Sequence, residues 1–268
     1  MSDIQLSGAT RVHFIVGDPI AQVKSPLGVT QAFHARGLDA MVMPAHVAPA
    51  DLAAWTHGVS VARNVDGIIV TVPHKFACAA LCGTLSERAA FLGATNTMRR
   101  NADGSWHGDM FDGLGYVEAL RALGCEPAGK QALLVGAGGA GSAIAHALVM
   151  AGVARLAVHD GDAARRDALV QRLAALGRCP VAAGSPDPSG YDLVVNATPA
   201  GMREGDPLPV EVDKLGAGTF VGCVVTQPAV TPLIAAARAR GLGTCTGADM
   251  FAKVRDLMVA FLAGGQAA

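Results

Sequence analysis

A chain of 268 residues, 51% of them apolar and with a positive mean hydropathy, carries enough nonpolar material for one large core or two ordinary ones, which excludes a disordered protein. Its 21 Lys and Arg against 22 Asp and Glu leave a formal net charge of −1, so it offers no electrostatic footprint for nucleic acid or an anionic membrane surface. The expected partner is a small molecule, bound by a monomer or homodimer with no nucleic acid and no membrane.

Cys78, Cys82, Cys125, Cys179, Cys223 and Cys245 form no CxxC pair and lie in apolar surroundings, which predicts reduced structural thiols. Met1 to Ile20 lacks a basic start followed by an apolar run, and no stretch reaches about 18 uninterrupted apolar residues. A cytoplasmic protein is expected.

In chain order, Val12 to Val16 is a short apolar run closed by Gly17-Asp-Pro19, and Val65 to Val72 is another closed by Pro73, so each reads as a buried strand. Pro26 to Arg36 and Pro49 to Val61 suit helices. This β-α-β-α order predicts a largely parallel sheet. Composition turns glycine-rich and polar between Gly104 and Gly115, where a change of domain is expected, leading into a helix over Leu114 to Leu123. A second series follows, with strands at Gln131 to Val135 and Arg155 to His159 and helices at Ala140 to Ala151 and Ala163 to Leu176. Tyr191 to Asn196 and Thr219 to Val225 read as further strands, and Pro232 to Arg240 and Met250 to Ala263 as helices. The expected fold class is α/β with two domains.

Leu133-Leu-Val135 runs into Gly136-Ala-Gly138-Gly139-Ala-Gly141 and then an alanine-rich helix, which puts G-x-G-x-x-G in the strand-turn-helix setting that it requires. The first glycine permits a tight turn, the second lets backbone approach a pyrophosphate, and the third allows close helix-strand packing; the helix N-terminus attracts the anion. Nineteen residues after Gly141, Asp160 closes the next apolar strand, where its carboxylate can accept hydrogen bonds from ribose hydroxyls and would repel a 2′-phosphate. Arg165 and Arg166 either serve such a phosphate or form a solvated helix face. NAD is expected over NADP, with NADP the alternative.

Val70-Thr-Val-Pro-His-Lys75 closes the strand of the first domain and lifts Thr71 and Lys75 to the carboxyl edge of the sheet, where ligands of open α/β folds bind. An exposed lysine alone carries no function. Its company raises it, because Ala94-Thr-Asn-Thr97 and His107-Gly-Asp-Met-Phe-Asp-Gly113 are polar, turn-like clusters of the kind that hold functional groups.

These strings, in order, resemble the shikimate dehydrogenase family over nearly the whole chain. Gly17-Asp-Pro-Ile20 with Lys24-Ser-Pro26 resembles its N-terminal substrate loop, and Val70 to Lys75 its V-T-V-P-x-K strand end. Gly93-Ala-Thr-Asn96 resembles G-A-x-N-T, Asp109-Met-Phe-Asp112-Gly113 resembles D-N-T-D-G, and Asn196-Ala-Thr-Pro-Ala-Gly-Met202 is similar to N-A-T-P-x-G-M. The resemblance implies an N-terminal α/β substrate domain over residues 1–109, a Rossmann NAD(P)-binding domain over 110–245, and a C-terminal helix, 246–268, that returns to the substrate domain.

It further implies reversible oxidation of shikimate to 3-dehydroshikimate, with Lys75 and Asp112 handling the proton of the substrate hydroxyl while hydride passes to the nicotinamide. Oxidation of a secondary alcohol needs such a base. Asn96 and Thr71 are then expected at the ring hydroxyls and Ser25 at the carboxylate. Gly136, Gly138, Gly139, Gly141, Asp160, Asn196, Thr198 and Met202 are expected at the cofactor. Quinate or a related cyclic polyol acid is the enzymatic alternative, and a non-catalytic dinucleotide-binding regulator the alternative of another class.

The resemblance weakens at the carboxylate. Val23 stands where the family has a first serine, Thr226 in Cys223-Val-Val-Thr-Gln-Pro228 stands for its tyrosine, and Val254 stands for its C-terminal glutamine; Met110 and Phe111 replace the asparagine and threonine of D-N-T-D-G. Each hydrogen bond lost to a charged ligand group is worth about 1.5–3 kcal/mol. Either Lys24, Lys253 or Arg255 takes over, or the substrate differs near that end. His159 to Arg165 lacks the family's N-R-T-x-x-R arginine pattern, which agrees with the NAD expectation.

The histidines His13, His34, His46, His57, His74, His107, His146 and His159 form no H-E-x-x-H or H-x-x-E-H pattern, so no metal site is expected and they read as surface or loop residues. His74 either tunes Lys75 or points outward. Trp55 and Trp106 read as packing residues, and no nucleophile elbow supports hydrolase chemistry.

Overall fold

The structure, a computed structural model, describes residues 6–264. The chain divides into two compact units: the residues up to 111 together with those from 255 onward, and residues 112–254. The first division thus follows Phe111 and not Asp109, because Met110 and Phe111 are buried and the Phe111 ring packs edge-on against Phe261 at 5.3 Å. The second falls after Val254 and not after 245, inside the last helix.

In the first unit, β1 (Arg11–Gly17), α1 (Ser25–His34), β2 (Ala40–His46), α2 (Leu52–Ser60) and β3 (Val65–Val70) form the expected alternating series, with β1 paired parallel to both β2 and β3. Three short elements follow: α3 (Lys75–Ala80), β4 (Thr84–Leu85) and α4 (Glu87–Leu92). The chain then makes a hairpin of β5 (Thr97–Arg100) and β6 (Trp106–Asp109), so the sheet order is β2-β1-β3-β5-β6-β4.

β5 runs antiparallel to β3 and to β6 while the other three pairings of the sheet are parallel, so β5 alone departs from the expected largely parallel sheet. The reason lies in the loop: Asn101 to Ser105 closes tightly, with Asn101 N–H on Ser105 O at 2.8 Å and Gly104 at φ 85°, and a loop so short can only reverse the chain. The core beneath gathers Val16, Leu52, Ile68, Val70, Cys78, Met98 and Trp106, with Trp55 packed against it. Trp106 also donates its indole N–H to Ser60 Oγ at 2.9 Å.

Two histidines depart from the surface reading. His74 is buried, and its Nε2 lies 2.7 Å from Val47 O. His13 is fully buried on β1, stacked on Phe33 at 4.7 Å, and neither ring nitrogen has a partner among the described residues. Burial pushes its pKa down from 6.5 to about 4 against the opposing pull of Asp66.

Unfolding returns His13 to its ordinary value, so the unfolded chain binds the proton first and stability falls as pH drops from 6.5 toward 4. A shift of this size corresponds to about 3 kcal/mol across the window. In His13→Leu, urea midpoints at about pH 7 and about pH 4.5 are expected to lie closer together than in the wild type. An equal acid loss in both proteins would contradict a buried neutral His13.

The second unit opens with α5 (Asp112–Ala122), then β7 (Gln131–Val135), α6 (Gly139–Met150), β8 (Arg155–His159), α7 (Ala163–Ala174), β9 (Val181–Ala183), β10 (Leu193–Asn196), β11 (Phe220–Cys223), α8 (Pro232–Ala239) and β12 (Thr244–Cys245). All pairings are parallel, in the order β12-β11-β10-β7-β8-β9. This is the doubly wound Rossmann order, with its switch point between β7 and β10. Side-chain caps fix the helix starts: Asp162 accepts from Arg165 N on α7, and Thr231 from Ile234 N on α8.

The last helix, α9 (Gly247–Ala263), starts three residues before the expected Met250 because Thr246 and Asp249 exchange hydrogen bonds as a capping box does. Its early part lies with the second unit, where Val254 sits so close to Gly115 that a Cβ there would come within 2.5 Å of Val254 Cγ2. Its later part lies with the first, where Leu262 covers Gly67 in the same way at 2.4 Å. No helix among the described residues is long and apolar enough to cross a membrane.

Candidate functional site

In the first unit, the carboxyl ends of β1 and β3 lie side by side, and Thr71 N–H bonds Val16 O at 3.0 Å while Asp18 N–H bonds Val72 O at 3.0 Å. Gly17 is required there, since a Cβ would come within 2.4 Å of Thr71 Cγ2. Lys75 opens α3, partly exposed, directly after the buried His74 that anchors the helix start. Ser25, buried, opens α1, with Pro26 beside it in the first turn and Lys24 at the cap.

One hydrogen-bonded frame ties the next residues together. Thr95 N–H donates to Lys75 O at 3.0 Å, Asn96 N–H to Asp109 O at 3.0 Å, and Val70 N–H to Asn96 O at 2.8 Å. The Asn96 side chain is buried, and its Oδ1 accepts from Phe111 N–H at 3.0 Å and Thr97 Oγ1 at 3.1 Å. Asp109, also buried, accepts from Ser86 Oγ, from Met110 N–H at 2.7 Å and from Arg88 Nη2 at 2.6 Å. Asp112, the residue after Phe111, is buried at the start of α5.

Ser86, Arg88 and the carboxylate of Asp109 were not legible as site residues. Ser86 caps α4 through Ala89 N–H at 3.2 Å, and Gly93 ends that helix in the left-handed conformation at φ 64°, which aims the chain into Ala94 to Thr97. A serine before Glu-Arg is a cap signal, but nothing in spacing alone says that its hydroxyl also reaches Asp109.

In the second unit, the glycines act as the motif demands. Gly136 follows β7 at φ 106°, and a Cβ on Gly141 would come within 2.0 Å of Gly136 O, so neither position admits a side chain without distortion. A Cβ on Gly138 would meet nothing within 4 Å, which leaves open the approach to the N-terminus of α6 that Gly139 begins.

Asp160 Oδ2 accepts from Ala137 N–H at 2.6 Å, while Oδ1 accepts from Asp162 N–H at 2.8 Å and Arg165 Nη2 at 3.2 Å. Burial pushes its pKa up, but these two N–H groups and the guanidinium more than offset it, and the carboxyl is held below its ordinary value. An ionised carboxylate has about four acceptor sites, so three bonds leave room for one more donor. Arg166 turns away to Asp167 at 2.8 Å.

Asn196, fully buried, donates to Ala200 O at 3.2 Å and Cys223 Sγ at 3.3 Å, and accepts from Thr198 N–H at 3.0 Å and Thr198 Oγ1 at 2.6 Å. Asn196 and Thr198 therefore hold the turn's own shape. That turn abuts the glycine loop, for a Cβ on Gly136 would lie 2.8 Å from Ala197 C. Asp206, another residue the sequence did not single out, fixes the far end by accepting from Gly201 and Arg203 N–H at 3.0 Å each. Met202 and Thr226 are exposed. Val254 is buried, Lys24 is exposed, Lys253 is partly exposed, and Arg255 is engaged by Asp256 at 2.8 Å.

Among the described residues no group of three or more His, Cys, Asp or Glu side chains is placed to hold a metal ion. All six cysteines are free.

Residues 15–98 match the family described as the shikimate dehydrogenase substrate binding domain. A protein of Rubrobacter xylanophilus named shikimate dehydrogenase (NADP(+)) is 38% identical over 252 residues, covering 92% of this chain and 88% of its own. Among solved structures, the shikimate 5-dehydrogenase of Listeria monocytogenes in complex with shikimate and NAD superposes with a TM-score of 0.89 at 26% identity, over 97% of this chain and 94% of that one. The quinate dehydrogenase of Corynebacterium glutamicum in complex with NAD superposes with a TM-score of 0.87 at 29% identity, over 95% and 94%.

Proposed function

The chain belongs to the shikimate dehydrogenase family, and from that premise we propose that it catalyses the reversible NAD(P)-dependent oxidation of shikimate to 3-dehydroshikimate. The observation that carries the proposal is the frame joining Lys75, Thr95, Asn96, Asp109 and Phe111, which holds a lysine and the residues leading into Asp112 at the carboxyl edge of a sheet. NAD(P), when bound, supplies the nicotinamide carbon that accepts the hydride.

The chain's own groups do the rest. Lys75 and Asp112 take the proton of the reacting hydroxyl as hydride leaves and return it in the reverse direction. Asn96 and Thr71 hold the ring hydroxyls, and Ser25 and Thr226 approach the carboxylate. The open backbone at Gly138 and the N-terminus of α6 receive the pyrophosphate. Asn196 and Thr198 shape the neighbouring turn that presents Met202 to the cofactor. The free cysteines support a reducing compartment, the cytoplasm.

Asp160 supports NAD over NADP, since its remaining acceptor site suits a ribose hydroxyl and its charge opposes a 2′-phosphate. Initial rates with NAD and NADP, each with shikimate and with quinate, test both parts. Shikimate with NAD is expected to be the fastest combination. Asp160→Asn, which keeps the side-chain shape and drops the charge, is expected to move the NAD:NADP ratio of kcat/KM toward NADP by about tenfold, the equivalent of about 1.4 kcal/mol. An unmoved ratio would remove Asp160 as the discriminator, and turnover of quinate alone would reassign the substrate.

A further inference from the structure

We propose that Arg88 is a positioning residue for the Asn96 to Asp112 segment, acting through Asp109 and Phe111 and touching neither substrate nor cofactor. Its guanidinium does two things at once in the first unit. Nη2 bonds the buried Asp109 carboxylate at 2.6 Å, and the planar group lies over the Phe111 ring, 5.0 Å from guanidinium carbon to centroid. A planar fork can stack and donate together, whereas a lysine ammonium can only donate.

Asp109 is fixed from four sides: by Arg88, by Ser86 Oγ, by its neighbour's N–H at Met110, and by Thr95 Oγ1, which donates to the Asp109 carbonyl at 2.6 Å. Phe111 is held between Arg88 above and Phe261 at 5.3 Å, and its N–H is the group that bonds Asn96 Oδ1. The orientation of the Asn96 amide and the entry of the chain into Asp112 therefore depend on a ring whose place is set by Arg88. The aromatic ring of Phe111 is what makes the stack possible here.

The inference rests on the reaction assigned to this chain, but part of its test does not. Native-state hydrogen exchange in Arg88→Gln is expected to show the Phe111 amide exchanging about tenfold faster than in the wild type, with β7 and β10 amides unchanged. With shikimate, kcat is expected to fall about tenfold or more, while the dissociation constant of the dinucleotide stays within about twofold. Arg88→Lys, which keeps the charge but cannot stack flat, is expected to fold like the wild type and still lose turnover.

Should Arg88→Gln fail to fold because Asp109 is left unpaired, the neutral double variant Arg88→Gln/Asp109→Asn is read the same way. Unchanged exchange at Phe111, or full turnover in folded Arg88→Lys, would overturn the positioning role. Absence of turnover by the wild type with any cyclic acid would overturn the assigned reaction instead, and the exchange measurement would still decide whether Arg88 holds the segment.

Discussion

Lys75→Ala is expected to lower kcat for shikimate oxidation by about 10²- to 10⁴-fold, the range that a positioned acid-base group contributes, with little change in dinucleotide affinity. The split follows from the two units. Lys75 opens α3 beyond the strand end of the first, whereas the glycine turn, Asp160 and the Asn196 turn are all built within the second. The measurement is steady-state kinetics beside dinucleotide titration by fluorescence, and an unchanged kcat would remove Lys75 from the proton transfer. His74→Ala would not mimic it, since that side chain is spent on Val47 O inside the fold.

Gly141→Ala is expected to produce the second large effect, on both stability and cofactor binding. A Cβ there would lie 2.0 Å from the carbonyl oxygen of Gly136 and 2.8 Å from its carbon, and backbone cannot step aside as the end of a side chain can. Overpacking of this kind costs about 1–3 kcal/mol or more. Because the atom displaced belongs to the turn that would cradle the pyrophosphate, the dinucleotide dissociation constant is expected to rise by about tenfold or more. Gly138→Ala is the control for stability alone, since a Cβ there meets nothing of the protein within 4 Å. Wild-type stability in Gly141→Ala would mean that the turn accommodates the side chain by moving, and the close packing at Gly136 would lose its energetic weight.

How much of this was legible in the sequence depends on the length of the signal. The parallel series of the second unit was, because each strand is a continuous apolar run followed by a helix long enough to show its period, and β7 and β8 fall on the predicted residues. In the first unit, β2 escaped notice because Pro44 interrupts it, a placement that an edge strand tolerates. The β5–β6 hairpin carries Arg99, Arg100 and His107 among its few residues, and α3 and α4 are six residues each, too short for a helical period to stand out.

At the candidate site, glycine spacing and the order of motifs picked out segments that the fold places at strand ends, because those features are local. What the sequence did not give away was which polar atoms are consumed by the fold. Asn196 and Thr198 read as cofactor contacts, yet their hydrogen bonds close their own turn. Asp109 read as one letter of a motif, yet it is the buried hub on which Ser86 and Arg88 converge. His13 sat in plain view within an apolar run, and its burial follows from the strand around it.

Val254 is packed against Gly115 and Arg255 is held by Asp256, which leaves Ser25, Lys24, Lys253 and Thr226 as the polar groups nearest in sequence to the family's positions. Shikimate and quinate differ at the ring carbon that bears the carboxylate, so their relative KM values are expected to report on that end of the substrate.

The most direct test of the assigned reaction is to follow the hydride itself, using shikimate deuterated at C3 with the wild-type protein and NAD. Deuterium recovered in the reduced nicotinamide, with 3-dehydroshikimate formed in equal amount, is the predicted result. Dinucleotide binding with no transfer of label, from shikimate or from quinate, would contradict the account and leave a nucleotide-binding protein that catalyses no oxidation of these acids.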